Sequence, residues 1–236
     1  MITLYQFACA YEQPFSVSPF CAKTEAYLRL AGLDYTTRDA DPRRAPLGKA
    51  PYIAAPGIDG LLADSQAIIE WCKATHGDVL DADLTDAQHA HGHAVRILVE
   101  NRTYFLLLHT RWVTPEGWRD QHQVLRHMVP PIAKSFLPTV LRRGVRRQLH
   151  EQGVGRHSQA ERDAMAVADV TALAHLLRDD FVVGPSVTSY DCALYGQLAG
   201  ALATYVDNAL KTAVSSSPTL MEWLRRMDEK LGWERR

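Results

Sequence analysis

Apolar spacing in the first third of the chain switches between two periods. Ile2, Leu4 and Gln6 alternate with Thr3, Tyr5 and Phe7, and apolar residues in both sets predict a first strand covered on both faces. A loop from Ala8 to Val17, broken by Pro14, follows. Phe20, Tyr27, Leu28 and Ala31 then recur near helical spacing, predicting a helix from Ser18 to Gly32, a natural residue for its end. Tyr35 to Ala40 is rich in strand formers and predicts a second strand, so that strand, helix and strand form a parallel unit. Asp41 to Gly48, with two prolines, leaves room for a short irregular helix at most. Pro51 to Ala55 and Leu61 to Ala63 predict a hairpin around Pro56-Gly57-Ile58-Asp59-Gly60. Ser65 opens a helix through about Thr75, with Ile68, Ile69 and Cys72 on one face.

The remainder is helical in pattern. Aspartate-rich residues 77–84 are expected to link a sheet domain, residues 1–76, to an all-helical domain, residues 85–236. Val95, Leu98, Val99, Phe105 and Leu106 predict one long helix from Thr85 to about Trp112, followed by an irregular segment from Val113 to Gln121 that contains Trp118. Pro130-Pro131 is expected to start a helix kinked near Pro138. Ser158-Gln159-Ala160-Glu161 and Thr188-Ser189-Tyr190-Asp191 fit helix caps. Leu220, Trp223, Leu224, Met227 and Leu231 form a final core stripe.

Composition narrows the setting. The 236 residues are 47% hydrophobic with a net charge of -1, enough for a sizeable core and without the basic footprint of a nucleic-acid binder. Cys9, Cys21, Cys72 and Cys192 are scattered, which suits reduced thiols. The first residues lack a signal-peptide pattern, and no apolar run reaches the ~18 residues of a membrane span, so a cytoplasmic setting without integral membrane contact is expected. His89, His91 and His93 are read as an exposed turn, and no metal is assigned. Arg142, Arg143, Arg146 and Arg147 form a basic strip whose default is a solvated face, with an anionic surface as the sharper alternative. Gly153-Val154-Gly155 is no phosphate loop, because no strand precedes it and Lys-Ser/Thr is missing.

Chemistry concentrates at Ser18-Pro19-Phe20-Cys21. Ser18 is a good N-cap and Pro19 suits the first helical position. Cys21 lies three residues on, so a hydroxyl and a thiol gather at the positive end of a helix dipole, where a thiolate is stabilised. The spacing is that of a dithiol redox motif with Ser in place of the first Cys, which excludes a two-cysteine cycle; Cys21 itself reads as a packed helix residue.

Four features in chain order resemble the glutathione transferase superfamily: Ser18-Pro19 opening the first helix, Lys49-Ala50-Pro51-Tyr52-Ile53 beginning the third strand, Asp64-Ser65 opening the next helix, and an all-helical remainder. The stretches Ser18 to Leu28 and Gly153 to Ser158 are most similar to the branch with the failed-axon-connections and metaxin-like proteins. The resemblance implies a thioredoxin-like N-terminal domain plus an all-α C-terminal domain, a homodimer, and glutathione as co-substrate for conjugation to, or reduction of, a small electrophile. It implies a cis bond before Pro51. Lys49, Ala50, Pro51, Asp64 and Ser65 would then hold glutathione, with Ser18 stabilising its thiolate. Cys9, Tyr11 and Ser16 stay open as rivals to Ser18. The face of Tyr104, Arg111 and Trp112 would reach the cleft for the electrophile. A non-catalytic adapter and a thiol-disulfide reductase acting through Cys9 or Cys21 are the alternative functions.

Overall fold

The computed structural model describes residues 1–41, 43–129, 132 and 134–235, with the backbone alone at His127. Its sheet has the order β2-β1-β3-β4, formed by β1 (Ile2–Gln6), β2 (Tyr35–Asp39), β3 (Tyr52–Ala54) and β4 (Leu62–Ala63). β1 runs parallel to β2 and antiparallel to β3, as the βαβ unit and the hairpin require. Helix α1 (Pro19–Leu30) connects β1 to β2, and α2 (Ser65–His76) follows β4.

Coverage of β1 differs from the expectation. Ile2, Leu4 and Gln6 are buried, while Thr3 and Tyr5 are half-buried, so one face carries the main core and the other a small second apolar cluster of Ala45, Tyr52 and Ala63, where Tyr5 stacks on Tyr52 at 4.7 Å. Among the described residues, the chain between β2 and β3 holds turns and no helix.

The predicted long helix is α3 (Asp86–Leu98) and α4 (Tyr104–Trp112) joined through a wider π turn, Val99–Thr103. Residues expected to be irregular instead begin α5 (Pro115–Met128): Thr114 caps it by accepting from the Gly117 N–H, and Pro115 occupies its first turn. Pro138 does not kink a helix. It lies in the first turn of α6 (Leu137–Gln152), where a missing N–H leaves no bond unmade. The expected start at Pro130-Pro131 lies outside the described residues. Then come α7 (Gln159–Leu176), α8 (Ser189–Leu202), α9 (Ala209–Ser215) and α10 (Pro218–Leu231). The Ser158–Glu161 capping box is formed, and the final stripe from Leu220 to Leu231 is buried.

The main hydrophobic core runs from Ile2 and Leu4 through Tyr27 and Ile68 to Trp223 and Trp233. Its centre is the crossing of α1 and α8. At Gly196 an added Cβ would sit 2.2 Å from the Pro19 carbonyl oxygen, so only glycine lets the two helices approach this closely. Gly155 likewise lies against the α6 backbone at Leu149, which gives the Gly153-Val154-Gly155 turn a packing reason.

Candidate functional site

Strand register brings three segments to one end of the sheet. Tyr5, near the end of β1, pairs with Tyr52 at the start of β3, and Tyr52 pairs with Ala63 at the end of β4. The loop into α1, the Ala50–Pro51 bond and the Asp64–Ser65 start of α2 therefore converge. The Ala50–Pro51 peptide bond is cis.

At the amino end of α1, Ser18 is the N-cap by backbone geometry (φ -85°, ψ 121°), but its hydroxyl makes no capping bond, contrary to the sequence expectation. Its N–H donates instead to the Ser16 hydroxyl at 3.3 Å. The hydroxyls of Ser16 and Ser18 both face the Cys21 sulfur, yet burial pushes that thiol up to about 11. Cys21 is fully buried. It is a packing residue, as its position suggested, and not an activated nucleophile.

The rivals to Ser18 are placed differently from one another. Cys9 is exposed and pairs with Ser16 in an isolated antiparallel bridge. Partial burial and the Glu25 carboxylate push its thiol up. Tyr11 is buried, has a left-handed backbone (φ 56°), and donates its phenol to Gln121 Oε1 at 3.4 Å. That phenol is committed to α5. Ser16 is buried beneath the Ser18 amide.

Across from α1, Asp64 has φ 81°, a region strained for any residue but glycine. Its carboxylate accepts from the N–H groups of Gln66 (2.9 Å) and Ala67 (3.2 Å). Ser65 is buried at the first position of α2, where its own N–H and the helix dipole favour a carboxylate. Lys49 is exposed in the turn before Pro51.

Behind this corner is a charge network that sequence reasoning missed. Lys23, 1% exposed, donates to Glu100 at 2.7 Å and to Gln66 at 2.8 Å, and Arg96 pairs with Glu100 at 3.0 Å. It ties α1, α2 and α3 to the π turn. The only local signal was a lysine among the buried positions of a helix.

Of the predicted cleft face, Tyr104 packs edge-on against Phe20 of α1 at 4.9 Å, and Arg111 donates to the Val17 carbonyl next to Ser18 at 2.7 Å. Trp112 does not join them: it packs against Trp118, over which Arg142 stacks at 4.6 Å. Arg142 also holds the Trp112 and Val113 carbonyls, so it belongs to the fold and not to a free basic strip. His89 contacts the Tyr190 hydroxyl and His91 the Leu176 carbonyl, and among the described residues no group of three potential metal ligands gathers. Two surface hollows, about 550 Å³ between α7 and α9 and about 420 Å³ between α5 and α6, lie away from Ser18, Pro51 and Ser65.

Residues 19–117 match the model of the glutathione S-transferase N-terminal domain, and residues 166–227 match that of the C-terminal domain. Among characterised relatives, the chain is 31% identical to an isoprene-epoxide–glutathione S-transferase of Rhodococcus sp. strain AD45, covering 96% of this chain and 98% of the relative. It is 29% identical to the failed axon connections protein of Drosophila melanogaster over 84% of this chain but 50% of that protein. A beta-etherase from Sphingobium sp. strain SYK-6 shares the fold, with a TM-score of 0.64 at 16% identity, covering 96% of this chain and 94% of the other. No helix among the described residues is long and apolar enough to cross a membrane.

Proposed function

The chain belongs to the glutathione S-transferase family, and from that premise we propose that it binds glutathione and transfers its sulfur to a small electrophile. The observation that carries the reading is the register: it gathers the amino ends of α1 and α2 and the Ala50–Pro51 bond at one end of the sheet. In this reading the backbone at Ala50 pairs with the tripeptide as an added strand. Ser65 and the start of α2 take the γ-glutamyl carboxylate, Asp64 takes its ammonium group, and Lys49 flanks the chain. Ser18 donates to the sulfur at the positive end of α1, which favours the thiolate, the reactive nucleophile. Of the rivals, Tyr11 is committed to Gln121 and the Cys9 thiol is pushed up, which supports Ser18.

The name of the Rhodococcus relative makes an epoxide the first electrophile to test. Opening an epoxide makes one carbon–sulfur bond and breaks one carbon–oxygen bond, and the alkoxide formed takes a proton from water. Calorimetric titration is expected to show saturable glutathione binding, and Ser65→Ala to weaken it. Ser18→Ala should lower turnover of the epoxide, or of a generic aromatic halide, by roughly 10²-fold, the scale of one lost donor to a developing or resting anion. Glutathione binding with unchanged turnover in Ser18→Ala would remove Ser18 from the role.

A second reading is a binding protein that keeps the fold without catalysis. It is favoured by the stretch between β2 and β3, which holds turns and no helix among its described residues and so offers less of a wall to a tripeptide. Titration separates the two readings: no saturable glutathione binding, together with retention of a stable protein partner, selects the second.

A further inference from the structure

Resting on the glutathione reading above, we infer that Arg111 is a positioning residue whose uncompensated buried charge helps keep the glutathione sulfur ionised at the amino end of α1. Arg111 is 6% exposed. Its Nη1 donates to the Val17 carbonyl at 2.7 Å and its Nη2 to the Gly200 carbonyl at 2.6 Å, while Nε has no partner. Among the described residues no carboxylate pairs with it. The groups that face it are polar but uncharged. The ring of Tyr11 lies 5.5 Å from its guanidinium carbon. Tyr104, on the same helix, is the other phenol within its field. From α8 comes the Gly200 backbone, and Pro19 of α1 flanks the same spot. Asp120 of α5 lies beyond Tyr11, on whose phenol it acts.

A buried guanidinium normally brings a carboxylate with it, because carbonyl dipoles and a ring face replace only part of its hydration. Here the missing negative charge is a property of the free protein. The carbonyl that Nη1 holds belongs to the peptide joining Val17 to Ser18, so the cation stands one peptide unit from Ser18. Its field adds to that of the helix dipole and is poorly screened, since salt and water are excluded. When glutathione binds, its thiol proton leaves to solvent and the thiolate supplies the absent charge. The same two hydrogen bonds tie the loop before α1 to α8, so Arg111 also sets where Ser18 sits.

The test is the thiol pKa of bound glutathione, read from thiolate ultraviolet absorbance against pH, in the full-length protein. We expect wild type to hold the thiol well below its value in free glutathione. Arg111→Gln should raise it about tenfold in proton affinity, one pH unit. Arg111→Lys, which restores the charge, should bring it back. Should Arg111→Gln not fold, Gln121→Glu is the second variant. It is isosteric, and it places a carboxylate against the far side of Tyr11, where it should cancel the field and raise the thiol likewise. A lowered thiol in wild type that stays lowered in a folded Arg111→Gln or Gln121→Glu protein overturns the inference and leaves the glutathione reading standing. Failure of wild type to bind glutathione overturns both.

Discussion

Asp191 shows what a single buried carboxylate can carry. It has no exposed surface, and it accepts from the Val182 N–H, the Thr188 N–H, the Thr188 hydroxyl and the Trp223 indole at 2.7–2.9 Å. Burial pushes its carboxyl up, and those donors pull it back. As a plain helix cap it would contribute ~1 kcal/mol. As the acceptor that satisfies four donors from three segments, it is worth more, because its loss leaves each buried donor unpaired. Asp191→Ala is expected to destabilise by about 3–5 kcal/mol in chemical denaturation, while the folded fraction keeps its glutathione affinity. His109 provides a pH test at the same scale. Burial, then the Arg162 and Arg146 guanidiniums, hold its imidazole down to about 4, against the partial opposition of Asp163. The folded chain thus resists a proton that the unfolded chain accepts near pH 6.5. Stability from this site is complete above pH 6.5 and is lost as pH falls toward 4. The loss reaches a few kcal/mol, at ~1.4 kcal/mol per tenfold change in proton affinity. His109→Phe should flatten that part of the stability profile; an unchanged slope would show that other groups cause it.

At the scale of elements, the crossing of α1 and α8 decides where the proposed site stands. A Cβ at Gly196 would meet the backbone of α1 at the Pro19 oxygen and, at 3.1 Å, the Lys23 nitrogen, neither of which can rotate away. Gly196→Ala should therefore push the amino end of α1 off α8, lower stability by ~1–3 kcal/mol and weaken glutathione binding by calorimetry. Gly144, in α6 with nothing within 4 Å of an added Cβ, is the control: Gly144→Ala should stabilise by up to ~1 kcal/mol and leave binding alone. Which elements were legible in the chain follows from how local their causes are. The strands, the hairpin, α1, α2 and the Ser158 capping box depend on residues within a few positions, and each stands where its pattern put it. The start of α5 is equally local, since Thr114-Pro115-Glu116 is a cap, a proline at the first turn and an acid. The π turn has no comparable marker, because what it accomplishes, bringing Glu100 onto Lys23, depends on a residue 77 positions away. The Arg111 contacts were hidden for the same reason. Their partners are carbonyls 94 and 89 positions distant, and a carbonyl is present at every residue.

For the molecule as a whole, the question is what makes the sheet half and the helical half one cooperative body. The aspartate-rich stretch between them reads as a linker, yet Asp81 within it has no exposed surface. Its carboxylate accepts from Lys73 of α2 at 2.5 Å, from the Ser189 N–H of α8 at 2.8 Å, and from the Ser189 hydroxyl. It is thus a polar rivet through both halves, beside the shared apolar core. Sequence could not single it out from Asp78 and Asp83, because its partner Ser189 lies 108 residues on. Asp81→Asn keeps the size but removes the nearer of Lys73's two carboxylate partners, Asp78 at 3.4 Å remaining, and weakens the acceptor for Ser189, which together should cost about 1–3 kcal/mol. The apolar contacts between α1 and α8 remain, so the fold should persist while the coupling falls. Hydrogen exchange read by mass spectrometry is the discriminating measurement. In wild type, peptides of α2 and of α8 should open together, with one free energy, as a single cooperative unit does. In Asp81→Asn the α2 peptides should open first, at lower free energy than α8. If both still open together, the core alone holds the halves in register, and the rivet contributes stability without cooperativity.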